Sequence, residues 1–125
     1  MDRRESYTRF ERELESGFRV QVDLAETSEE VRAVFERTAR DLLFMTMGPG
    51  MELAPGDVRL APDVREGFLL SERLRDDRRV GAAVARSDLW HILRRLAGRA
   101  LRRMAHIERH PERTEAKMFP VPGRR

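Results

Sequence analysis

SDLWHILRRLAGRALRRMAHIERHP, residues 87–111, is the stretch from which the fold is read. Leu89, Ile92, Leu93, Leu96, Ala100, Met104 and Ile107 recur at three- and four-residue intervals, the period of a helix that buries one face. Ser87 offers an N-cap oxygen. Asp88 stands in the first turn, where the helix dipole favours an anion, and Pro111 lies just past the end. The spacing predicts a helix over 88–110, about 33 Å long, enough to cross a small domain or to project from it.

The opposite side of the same wheel carries His91, Arg95, Arg99, Arg102, Arg103, His106, Arg109 and His110, with Arg94 at its edge. Glu108 falls nearer the apolar boundary, so this basic stripe contains no acid. Surface helices usually interleave signs, because like charges at i, i+4 repel by a few tenths of a kcal/mol. Arg95–Arg99, Arg99–Arg103 and Arg102–His106 all bear that repulsion, and something must offset it. Three receivers fit: the acidic helices of the same chain, a protein partner or second copy, or a nucleic acid. The stripe has no interleaved aromatics, no Gly-rich loop and no nucleic-acid motif, which favours a protein contact.

Charge along the chain fits any of these receivers. Residues 1–77 carry 12 arginines and 18 carboxylates, a net −6, and residues 78–125 carry 13 cations and four carboxylates, a net +9. The two halves can neutralise each other within one fold or head to tail between neighbours, and the basic half can face an outside polyanion. Lys117 is the single lysine. So strong an arginine bias is the usual mark of a GC-rich genome, although arginine also suits carboxylate and phosphate recognition.

Moving toward the N-terminus, Thr27 and Ser28 offer caps, Glu29 and Glu30 occupy a first turn, and Val31, Val34, Phe35, Thr38, Leu42 and Met45 share a face. Gly48-Pro49 closes a helix over 28–47. A shorter helix is expected over 7–16, capped by Ser6 and ended by Gly17. In FRVQVDL, Phe18, Val20, Val22 and Leu24 then alternate with the period of a strand. Residues 48–62 read as a loop. Met51/Leu53 and Val58/Leu60 alternate on either side of the Pro55-Gly56 turn, the pattern of a small hairpin. A short helix is expected from Asp63 with Val64 and Phe68, and Ser71 caps another turn through Leu74. Residues 78–86 are ambiguous, because Gly81 weakens a helix there. The tail, PERTEAKMFPVPGRR, is expected to be irregular, either disordered or docked through Met118, Phe119 and Val121.

The fold class is therefore mainly α: one helical domain over 1–110, two principal helices at 28–47 and 88–110, shorter helices, an optional minor hairpin, and an irregular tail over 111–125. The chain has no cysteine, which removes disulfides, thiolate metal sites and a cysteine nucleophile. No apolar run approaches a membrane span, and MDRRESYTRF lacks the apolar core of a signal peptide. A soluble cytoplasmic protein is expected.

Residues with chemical potential all have a quieter reading. His106 and His110 have the i, i+4 spacing of helical metal ligands, but flanking arginines repel a cation and Glu108 points elsewhere. No metal or cofactor is expected. Glu11/Glu15, Glu26/Glu30 and Asp76/Asp77 lack the apolar framing that tunes an acid–base pair. The serines sit at caps, and GPG at 48–50 lacks the residues of a phosphate loop. Met45, Met47 and Met51, with Trp90, form either core packing or an adaptable apolar contact. The expectation is a non-enzymatic interaction or assembly subunit, with a protein partner or homo-oligomer. Its contact residues are Arg94, Arg95, Arg99, Arg102, Arg103, His106 and Arg109. The alternative is a nucleic-acid-associated protein that binds phosphates through the same stripe.

Overall fold

The computed structural model describes residues 6–109. The tail over 111–125, and His110 with it, lie outside the described residues. The fold is mainly α with a minor β-hairpin. In chain order the elements are α1 (Thr8–Leu24), α2 (Ser28–Met47), β1 (Val58–Leu60), β2 (Phe68–Leu70), α3 (Glu72–Arg75), α4 (Arg78–Arg86) and α5 (Leu89–Arg109). No described helix is long and apolar enough to cross a membrane.

The two principal helices form where their periodicity places them. α2 opens on a capping box: the Thr27 hydroxyl accepts the Glu30 N–H at 3.1 Å, and the Glu30 carboxylate accepts the Glu26 and Thr27 N–H groups at 2.7 and 3.1 Å. It ends at Gly48, whose φ of 91° suits glycine. Val31, Phe35, Leu42 and Leu43 of α2 are buried against Leu89, Ile92, Leu93, Ala97 and Ala100 of α5. Ser87 joins α4 to α5: its hydroxyl donates to the Ala83 carbonyl at 2.5 Å and accepts the Leu89 N–H at 3.1 Å.

α1 differs from the expectation. The strand period over 18–24 is overridden, and one helix runs through Gly17 to Leu24. The physical reason is a longer stripe. Phe10, Leu14, Phe18 and Val22 are each four residues apart and all pack on the core, whereas Val20 and Leu24 point outward, 56% and 69% exposed. Gly17 faces open space, so its helix cost of about 1 kcal/mol is smaller than the loss of Phe18 and Val22 from the core. Ser6 is not the N-cap residue. Tyr7 holds that position, and its N–H donates to the Asp88 carboxylate at 2.8 Å.

The hairpin exists, but with another partner. β1 pairs antiparallel with β2 in the register Val58↔Leu70, Arg59↔Leu69 and Leu60↔Phe68, not with Met51/Leu53. The helix expected from Asp63 is replaced by turns that lead to Gly67 and into β2. Gly67 has φ +88°, and a Cβ there would lie 3.1 Å from Leu101 Cδ1 and 3.2 Å from Ala97 Cβ. Glycine thus lets the hairpin press against α5, with Phe68 buried beside Trp90. Met51 joins the core.

A buried carboxylate ties the rest of the middle segment. Asp57 accepts the Ala54 N–H and the Ser71 hydroxyl, each at 2.8 Å, and pairs with Arg73. Burial pushes its carboxyl up, but these donors outweigh burial and hold it below its ordinary value. Ser71 caps α3 as expected, accepting the Leu74 N–H. The ambiguous segment 78–86 is helical. Asp77 caps it, Val80 is buried, and Gly81 points to open space.

Candidate functional site

α5 turns its basic stripe in two directions. The inner row faces α1. Arg95 makes a two-pronged contact with Glu11, through Nε at 2.9 Å and Nη2 at 2.8 Å. That hydrogen-bonded partner, whose side chain is only 13% exposed, raises the arginine pKa further. Arg103 donates Nε and Nη2 to the Ala25 carbonyl, at 3.2 and 2.8 Å, where α1 ends and its dipole is negative. Arg99 lies between them more loosely, with Nη2 3.6 Å from the exposed Asp23. The receiver for this row is α1 of the same chain.

Asp88 completes the grip. It accepts the Tyr7 N–H at 2.8 Å and the Ser6 and Thr8 hydroxyls at 3.0 and 3.2 Å. Burial pushes its carboxyl up, yet the three donors together hold it below its ordinary value. Asp88, just ahead of α5, and Arg103 within it therefore satisfy backbone groups at the two ends of α1.

The outer row faces away. His91, Arg94, Arg102 and Arg109 are exposed, and their side chains make no hydrogen bond or ion pair to another described residue. His106, by contrast, is half-buried and has an interaction partner. Two adjoining depressions follow the seam between the rows. One, of about 280 Å³, is lined by Glu11, Glu15 and Phe18 of α1 and by Arg94, Arg95, Leu96, Gly98, Arg99 and Arg102 of α5. The other, of about 240 Å³, is lined by Asp23, Arg99, Arg102, Arg103 and His106. Arg99 and Arg102 belong to both.

The remaining candidates are placed elsewhere. Met51 is buried, Met47 and Trp90 are half-buried against the core, and the Trp90 ring lies 4.7 Å from that of Phe68. Met45 is half-buried. The four do not form one exposed surface; the exposed large apolar side chains among the described residues are Val20, Leu24, Phe44 and Leu69. No group of three or more potential metal ligands occurs among the described residues. Of the carboxylate pairs, Glu11 is spent on Arg95, Glu30 on the α2 cap and Asp77 on the α4 cap. Sequence reasoning missed the long-range roles of Asp57 and Asp88, because Ser71 and Arg73 for the first, and Ser6, Tyr7 and Thr8 for the second, lie far along the chain. The chain matches no protein-family model, no curated protein and no solved structure.

Proposed function

We propose that the protein works by contact, as a non-enzymatic interaction or assembly subunit whose α5 face receives an acidic segment of another protein. The observation that supports this reading is the outer row: His91, Arg94, Arg102 and Arg109 are exposed on one helix with no acid among them. α1 offsets the inner row and leaves the outer one uncompensated. A carboxylate-rich surface laid along α5 would meet arginines at intervals of about 12 and 10 Å, from the rise of a helix. Charge complementarity of this kind steers encounter and fixes register more than it adds affinity. A second copy of the chain fits as partner only head to tail, offering its acidic half, since two such faces would repel each other.

Nucleic acid is the second reading, carried by the same outward guanidinium groups. The carboxylates on the seam, Glu15 and Asp23, speak against a phosphate backbone running along it. The test is the triple variant Arg94→Gln, Arg102→Gln, Arg109→Gln. It should fold, and it should lose the partner that co-purifies stoichiometrically with the wild type. Survival of that complex in the variant would refute the proposal. So would wild-type binding to random duplex at physiological salt with an affinity that falls steeply as salt rises.

A further inference from the structure

We infer that Arg99 and Arg102, at the seam of α1 and α5, clamp a single carboxylate of the incoming partner. This deepens the contact function proposed above and rests on it. Two of the arginines beside the seam have their donors already used. Arg95 spends Nε and Nη2 on Glu11, and Arg103 spends the same two on the Ala25 carbonyl. Arg99 is different. Its Nη2 reaches Asp23 only at 3.6 Å, beyond a hydrogen bond, and its Nε is shielded from solvent with no acceptor. A shielded N–H donor without an acceptor is uncommon and calls for an explanation. Arg102, one turn further on, is exposed and likewise has no acceptor among the described residues.

Space and charge converge on the same pair. Arg99 and Arg102 are the two residues common to both depressions of the seam. Gly98 lines the larger one, close enough that a Cβ there would touch Arg102 Nη1 at 3.6 Å. The two linings hold five arginines and three carboxylates, an excess of two positive charges with histidine neutral. That excess suits a carboxylate. The rim carboxylates Glu15 and Asp23 would repel a more highly charged ligand. A guanidinium matches a carboxylate in plane and spacing, and the terminal Nη groups of Arg99 and Arg102 are the donors an incoming carboxylate can reach.

The experiment follows the arginine Nε–H signals in proton–nitrogen correlation spectra of the whole protein. The probe is a capped Ala-Glu-Ala peptide with a single side-chain carboxylate, with inorganic phosphate and sodium chloride at matched ionic strength for comparison. The peptide should shift the Arg99 and Arg102 signals saturably and leave those of Arg95 and Arg103 in place. Arg102→Gln should weaken its binding about tenfold, the worth of one charge-assisted contact. Shifts that never saturate, or that touch all the arginines alike, would overturn the clamp. Phosphate saturating the pair more tightly than the peptide would overturn its assignment to a carboxylate. If the triple variant keeps the native complex while the peptide saturates Arg99 and Arg102, the contact function fails and the anion clamp stands. If the native complex is lost and the peptide binds nowhere, the clamp alone fails.

Discussion

Asp88 accepts three hydrogen bonds at the start of α1, and Asp57 accepts two while pairing with Arg73. Both carboxyls are held below their ordinary value. A carboxyl whose pKa is depressed on folding contributes stability that is present above its unfolded pKa and is lost as pH falls through the folded one. Wild-type stability in urea should therefore drop below about pH 4. Asp57→Asn with Asp88→Asn should lower stability at pH 7 by about 2–5 kcal/mol, since hydrogen bonds to charged groups are worth about 1.5–3 kcal/mol each. The double variant should also show a shallower acid decline. Two glycines make an opposite pair. Gly67→Ala should destabilise by more than about 1 kcal/mol, because φ is +88° and Leu101 and Ala97 crowd the new methyl. Gly81→Ala should stabilise by about 0.5–1 kcal/mol, because the position is helical and faces open space. Thermal melts of the two variants, shifting in opposite directions, check this.

At the scale of elements, α1 separates two periods that the sequence superimposes. Phe18, Val20, Val22 and Leu24 alternate as in a strand, while Phe18 and Val22 also extend the stripe begun by Phe10 and Leu14. The helix prevails because the longer stripe buries more apolar surface. Phe18→Ala should cost about 3–5 kcal/mol, and Val20→Ala should stay within about 0.5 kcal/mol. Equal losses in chemical denaturation would restore the strand. On α5, Leu96→Asp should abolish cooperative folding, since the side chain is buried and an unpaired carboxylate there costs several kcal/mol. A near-normal circular dichroism melt would contradict the packing. α2 and α5 were legible in the sequence because cap, period and stop signal agree at each. A hairpin was legible but its partner strand was not, because Pro55-Gly56 is a stronger turn signal than the segment before Gly67. What selects Phe68–Leu70 as partner is packing beneath α5, and no local pattern reports that. α4 was ambiguous because Gly81 weakens propensity, while the Asp77 cap and buried Val80 decide the outcome.

At the scale of the whole molecule, the basic stripe was legible as a stripe but not as two rows. A helical wheel shows which residues share a side. It does not show that α1 runs beside α5 and takes Arg95, Arg99 and Arg103, because the partners Glu11, Asp23 and Ala25 lie about 80 residues away in the chain. The proposed contact function depends on this division, because it needs the outer row unspent. The division also changes which arginines can be removed without disturbing the fold. The most direct test is a pair of thermal melts at pH 7. Arg95→Gln with Arg103→Gln removes contacts to Glu11 and Ala25 and should cost about 1–3 kcal/mol, discounted for partial exposure. That loss corresponds to a fall of roughly 4–8 °C in Tm per kcal/mol for a domain of this size. Arg94→Gln, Arg102→Gln and Arg109→Gln together should leave Tm unchanged or slightly raised, because they relieve like-charge repulsion and break no contact. A triple variant that melts as early as the inner pair, or an inner pair that melts like the wild type, would contradict the division of the stripe.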